Sequence, residues 1–119
     1  MWGDATVSSE KSMTTFDKRE QAFEAQFAHD EEMKFKAMAR RNYLLGVWVA
    51  EKLGLAGAEA ESYARELVVL EVESTSDDEI IRKIKMDLSA KGITLSDHRI
   101  RRAMDELLGK AISETRARE

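Results

Sequence analysis

Residues 38–54 read MARRNYLLGVWVAEKLG, which is the most apolar part of the 119-residue chain. Apolar side chains and one amide recur here at steps of three or four, which places them along one side of a helix. They are Met38, Asn42, Leu45, Val49 and Leu53. Val47 and Trp48 widen this stripe, as expected for a helix with neighbours on more than one side. Gly54 then follows the last periodic residue, where a left-handed helix end favours glycine, so the stretch predicts the central helix of a bundle.

The composition of the chain favours a single all-α domain. It contains no proline and only six glycines. Without cysteine it can form neither a disulfide nor a thiolate metal site. No apolar run approaches the ~18 residues of a membrane span, so we expect no direct membrane insertion. The net charge of −4 gives no general attraction to nucleic acid, and we expect no nucleic-acid partner.

Three further helices are expected after the central one. The second should begin near Ala56 or Ala58 and end near Glu73, although its three valines favour strands. The third should open with a capping box formed by Ser76 and Glu79. The inward residues of these two helices are predicted to be Ala60, Tyr63, Ala64, Leu67, Leu70, Ile80, Ile81, Ile84 and Leu88.

The third helix should end at Gly92, and Ser96 should cap the fourth. Leu95 and Ile100 are placed as a hydrophobic staple at this start. The apolar stripe of the fourth helix is predicted to be Ile100, Met104, Leu107, Leu108, Ala111 and Ile112. We therefore expect a four-helix bundle over residues 29–115, followed by a frayed tail at 116–119.

The N-terminal 28 residues fall into two parts. Residues 1–12 are polar and aperiodic, which predicts a disordered extension, and Met13 is a candidate natural start. Residues 13–28, which we call the arm, carry an aromatic stripe formed by Phe16, Phe23 and Phe27. A helix from residue 17 to residue 53 would be ~55 Å long, longer than the later helices can cover. The arm must therefore project, fray or fold back, and its stripe is either core or a face for another protein.

The sequence offers little support for catalysis. The two histidines, His29 and His98, occupy no recognisable ligand pattern. The run His29-Asp30-Glu31-Glu32 distributes its side chains around a helix, which favours a solvated charged run over a metal site. Two pairs at i,i+4, Asp30 with Lys34 and Glu32 with Lys36, have the favourable order for such a run. We expect no enzyme activity, no metal and no cofactor.

A basic cluster at the start of the last helix is the one candidate ligand site. Arg99, Arg101 and Arg102 could bind the phosphate of a nucleotide or of nucleic acid. The alternative is a solvated face, paired with Asp97, Asp105 and Glu106 on the same helix. A nucleotide- or nucleic-acid-binding helical module is thus a second interpretation of the chain.

Several long motifs can be compared with known families: FAHDEEMKFKA at 27–37, ARRN at 39–42, LLG at 44–46, AEKLGL at 50–55, HRIRR at 98–102 and MDELL at 104–108. Together they resemble the zeta-subunit family of alphaproteobacterial F-type ATP synthases. The resemblance spans about Met13 to Ala111 and is looser from Ala60 to Asp87.

The resemblance implies a four-helix bundle that inhibits ATP hydrolysis by the synthase. It implies that the arm inserts at a catalytic interface between alpha and beta subunits, beside the gamma subunit. Such a protein would be a monomer when free and would act in the cytoplasm, at the inner face of the plasma membrane. The contact residues implied are Thr14, Thr15, Phe16, Lys18, Arg19, Phe23, Glu24 and Phe27.

Overall fold

A computed structural model describes residues 30–73 and 76–118 of the chain. These residues form helices α1 (Glu31–Leu53), α2 (Gly57–Val72), α3 (Asp77–Ser89) and α4 (Asp97–Ala117), with no strand among them. The prediction of an all-α, four-helix fold is confirmed. The predicted extension at 1–12 and the arm lie outside the described residues.

Helix α1 lies at the centre of the bundle. It packs most extensively against α2 and α4, and it also contacts α3. The predicted stripe faces this core: Leu45 and Val49 are fully buried, and Leu53 packs against them from its edge. All four helices contribute to the main core cluster, whose buried members are Leu45, Val49, Ala50, Tyr63, Leu67, Ile80, Ile81, Ile84, Leu88, Ile100 and Met104. The central position predicted for residues 38–54 is therefore confirmed.

The helix ends follow the local signals in the sequence. Gly54 adopts the left-handed conformation (φ 79°), and the amide of Leu55 donates to the carbonyl of Ala50 over 2.9 Å. Ser76 accepts from the amide of Glu79, whose carboxylate accepts in return from the Ser76 amide. Ser96 caps α4. These contacts satisfy backbone groups that a helix end would otherwise leave without partners.

Removing the cap of α3 should weaken the fold measurably. Ser76→Ala should lower the free energy of unfolding by about 1 kcal/mol, because the Glu79 amide loses its acceptor. The exposed Ser89 near the other end of α3 provides a matched control, and Ser89→Ala should change stability by about 0.5 kcal/mol or less. Urea titrations of both variants would check this, and equal effects would contradict the cap assignment.

Helices α1 and α2 approach each other most closely at Gly46. A Cβ atom placed on this residue would lie 2.4 Å from the Cα of Ala64 and 3.0 Å from its Cβ. No side chain fits at position 46 unless the two helices move apart. Small residues at both positions therefore allow the close packing of α1 on α2.

The last helix extends further than the sequence suggested. It runs to Ala117, past the bundle boundary expected at residue 115, and Thr115 is buried. A second core cluster packs Leu108 and Ile112 against Ala37 and Met38 of α1. Beyond it, Glu114 still pairs with Arg40 of α1. Helix α4 thus covers α1 along most of its length, in the opposite direction.

Candidate functional site

The residues implied for the inhibitory contact lie outside the described part of the chain. They are Thr14, Thr15, Phe16, Lys18, Arg19, Phe23, Glu24 and Phe27. Their role as contact residues stays a prediction. The structure instead describes the end of the bundle to which the arm is joined.

Asp30 fixes the start of α1. Its backbone is extended (φ −123°, ψ 93°), and its side chain accepts a hydrogen bond from the amide of Met33 over 3.0 Å. Glu31 and Glu32 occupy the first turn, where negative charge is favourable. The bundle therefore has its own capped first helix, beginning immediately after the arm.

The charged run at this start is a helix cap with local ion pairs. Lys36 pairs with Glu32 as predicted, with 3.6 Å between nitrogen and oxygen. Lys34 pairs with Glu31 over 3.5 Å instead of with Asp30, whose carboxylate caps the helix. Among residues 30–73 and 76–118, no group of three or more potential metal ligands lies together.

An apolar groove opens at the same end of the bundle. We call it the Phe35 groove; it is lined by Met33, Phe35 and Ala39 of α1, Val68 of α2, Thr115 of α4 and Arg118 just after α4, among others. Its volume is about 490 Å³. The side chain of Phe35 is half exposed, although it could be buried if another segment occupied the groove.

The rim of the Phe35 groove is charged. Lys36, Arg40 and Arg118 supply positive charge, and Glu114 supplies negative charge. Arg40 donates from Nε to the Glu114 carboxylate over 2.7 Å, and this hydrogen bond holds the pKa of Glu114 below its ordinary value. Glu114 is therefore charged at neutral pH, and the rim carries both signs.

The three arginines of the predicted phosphate site have three different protein partners. Arg101 pairs with Asp78 of α3, and Arg102 pairs with Glu106 one turn further along α4. Arg99 lies over the ring of Trp48, with its guanidinium carbon 5.1 Å from the ring centroid. Arg99 and Arg101 thus contact other helices, and Arg102 contacts a residue of its own helix. A phosphate site at Arg99, Arg101 and Arg102 stays a prediction.

A buried charged network near the arm-proximal end is a feature that sequence reasoning missed. The side chain of Arg41 is 2% exposed, and one of its terminal nitrogens lies 3.1 Å from Asp77 Oδ1 and 3.8 Å from Glu71 Oε1. Its Nε donates to Asn42 Oδ1 over 2.8 Å, and the Asn42 amide donates to the carbonyl of Leu67. The network thus ties α1 to α2 and to the start of α3.

The position of Arg41 was a usable signal. It lies three residues after Met38 and four before Leu45, within the stripe that faces the core. A charged residue at such a position requires a buried partner of opposite charge. Nothing in the local sequence identifies that partner, because Glu71 and Asp77 come from distant parts of the chain.

Two further observations bear on the class of protein. None of the described helices combines the length and the hydropathy needed to cross a membrane. The comparison with curated proteins gave no match.

The comparison with protein families, in contrast, gave a match across most of the chain. The family described as ATPase inhibitor subunit zeta matches residues 13–114, which include both the arm and nearly all of the bundle. The residues outside the match are 1–12 and the last five of the chain. The chain therefore belongs to the ATPase inhibitor subunit zeta family.

Proposed function

We propose that this protein inhibits ATP hydrolysis by the F-type ATP synthase through insertion of its arm. The arm would enter a catalytic interface between an alpha and a beta subunit, beside the gamma subunit. The observation that carries the proposal is the family match, which begins at Met13 and so includes the whole arm. The protein would act in the cytoplasm, at the inner face of the plasma membrane, and would be a monomer when free.

The geometry of the bundle supports separate roles for the two parts of the chain, in which the arm inhibits and the bundle serves as its folded anchor. Side chains of the four described helices form the two core clusters, and Asp30 caps the start of α1. We expect the arm to exchange one set of surroundings for another without opening this core. Inhibition would be mechanical: the inserted arm prevents closure of a catalytic site and rotation of the stalk, and it performs no chemistry.

The aromatic stripe of the arm should separate inhibition from stability. Phe16→Ala combined with Phe23→Ala should leave the melting temperature nearly unchanged while weakening inhibition of ATP hydrolysis. Two desolvated aromatic side chains at an interface contribute several kcal/mol together, which is enough to turn a strong inhibitor into a weak one. Hydrolysis assays and thermal melts on the same samples would check this.

A matched control lies on the opposite side of the arm. If the arm is helical, Gln21 faces away from the aromatic stripe, so Gln21→Ala should retain inhibition. All variants should be assayed with and without residues 1–12, because this extension precedes the end that would insert. Full inhibition by a stably folded double phenylalanine variant would rule out the proposed role of these residues.

The bundle should also fold without the arm. Deletion of residues 1–26 leaves every described member of the two core clusters in place, so we expect the melting temperature to fall by only a few degrees, equivalent to roughly 1 kcal/mol or less. Inhibition of ATP hydrolysis should be lost. Calorimetry would measure the first effect, and a loss of cooperative unfolding would show that the arm belongs to the core.

A further inference from the structure

We propose that the Phe35 groove is a docking site for the arm of the same chain. In the free protein, residues 13–28 would fold back and place their phenylalanine side chains against the apolar floor of the groove. The docking is a property of the isolated protein. Its consequence for regulation, described below, rests on the proposed inhibitory function.

Exposed apolar side chains concentrate at this end of the bundle. Phe35, Val69 and Val72 are each more than half exposed, and the only other large apolar residue so exposed in the described chain is Met86. Because α1 and α2 are antiparallel, the start of α1 and the last turns of α2 lie together. Valine is a weak helix former, so the exposed valines do not stabilise α2 unless another segment covers them. Phe35 lines the groove, and the two valines lie in the same last turns of α2 as the lining residue Val68, so the exposed apolar side chains at this end favour an interaction surface.

The arm is covalently attached close to this surface and is therefore its nearest possible occupant. Phe27 precedes the cap at Asp30 by three residues, a span of ~10 Å at most. Met33, which lines the groove, lies one turn after the cap. A segment tethered so closely is present at an effective concentration in the millimolar range, so even weak contacts can hold it in place.

The spacing of the arm residues suits the groove. Phe23 and Phe27 are four residues apart, as are Phe35 and Ala39 on the groove wall, so one helical turn of ~6 Å separates both pairs. A helical arm lying along α1 could therefore insert its two phenylalanines beside these residues. Ridges at this spacing are those that interdigitate when two helices pack.

The charges of the arm also complement the rim. On a helical arm, Glu20 and Glu24 border the aromatic stripe on one side and Arg19 borders it on the other. On the rim, Lys36 and Arg118 are the cations for the carboxylates, and Glu114 is the anion for the arginine. Lys36 and Glu114 would then share their charge with their present partners, Glu32 and Arg40. Exposed pairs of this kind add little affinity, but they favour one orientation of the arm over its reverse.

Paramagnetic relaxation would detect docking in the full-length protein. The chain has no cysteine, so Ala25→Cys accepts a single nitroxide label, on the side of a helical arm opposite the phenylalanines. We expect the amide signals of Val68 and Thr115 to lose intensity in the oxidised sample and to recover on reduction. Signals near Gly92, at the other end of the bundle, should be unaffected. Intensity losses restricted to residues near the label in sequence would overturn the proposal.

Tethering alone must be distinguished from docking. Phe23→Ala with Phe27→Ala leaves the tether intact, and Val68→Asp or Phe35→Glu alters only the groove. Each should restore the signal of Thr115, whereas Met86→Asp, at an exposed apolar residue elsewhere, should not. The two groove variants are prepared as separate single substitutions. If one of them misfolds, which its amide spectrum would show, the other remains as the test. Unchanged intensity losses in both would contradict docking in the groove.

A second copy of the chain is the competing occupant. The test mixes spin-labelled protein at natural isotopic abundance with ¹⁵N-labelled protein that carries no nitroxide. Only the ¹⁵N-labelled molecules are observed, so any loss of intensity reports a contact between molecules. Docking within one chain predicts no intensity loss at Val68 or Thr115 in this mixture, and losses there would replace our proposal with an exchange between copies.

Docking would limit the fraction of molecules whose arm is available to the synthase. The apparent dissociation constant for inhibition is raised by the reciprocal of that fraction, so Phe35→Glu should inhibit at lower concentration than the parent. An unchanged inhibitory concentration would overturn this regulatory consequence. The relaxation experiment needs no synthase, so a lack of inhibition by every version would overturn the proposed function and leave the docking result standing.

Discussion

Arg41→Ala should destabilise the bundle by about 3–5 kcal/mol, a large part of the stability of a domain of this size. The substitution leaves the carboxylates of Glu71 and Asp77 in a nearly buried site without the guanidinium that compensates them. The side chain of Asn42 also loses a donor to its oxygen. Chemical denaturation of the parent and the variant would measure the change in free energy.

The neighbouring residue provides the control. Arg40 pairs with Glu114 over a shorter distance, 2.7 Å, but both side chains are about one-third exposed. Arg40→Ala should therefore cost about 1 kcal/mol or less, because water and salt screen the exposed pair. Arg41→Lys retains the charge and removes the branched donor geometry, so it should fall between the two alanine variants. Equal costs at positions 40 and 41 would contradict the importance of burial.

Gly46→Ala should destabilise the protein by about 1–3 kcal/mol, although alanine is the better helix former. The added methyl group would lie 2.4 Å from the Cα of Ala64, which is a backbone atom and cannot turn aside. The helices must separate, and the core beneath them must loosen. Thermal and chemical unfolding would both report the loss.

Gly109 of α4 tests the same substitution without the clash. A Cβ atom at this position meets no atom within 4 Å. Gly109→Ala should therefore stabilise the protein by up to about 1 kcal/mol, the difference in helix propensity. The two substitutions are chemically identical and should have opposite signs. A gain at position 46 would show that α1 and α2 are less closely packed than described.

The parts of the fold that the sequence predicted are those with local causes. Ser76 and Ser96 cap helices through backbone groups three residues away, and Gly54 ends α1 through its own conformation. The apolar stripes were likewise readable, because periodicity alone decides which side of a helix is buried. At Asp30 two local possibilities competed, and the cap was formed in preference to the pair with Lys34.

The parts that escaped prediction depend on distant partners. The contact between Gly46 and Ala64 requires the register of α1 against α2, which periodicity does not supply. The same holds for the ion pair of Arg101 with Asp78, which lies on another helix. The Phe35 groove combines three helices and could not be recognised from any one of them.

The central position of α1 has a consequence for how the bundle would resist force. In the proposed complex, a rotor pressing on the inserted arm would load the bundle at Asp30, the first residue before α1. Helix α1 contacts each of the other three helices, so it cannot be peeled away from one neighbour at a time. A load along the axis of α1 must instead shear its contacts with α2 and α4 together, including the network around Arg41. The load would thus be shared across the whole core, which would suit the proposed role of an anchor that stays folded while its inserted arm blocks rotation.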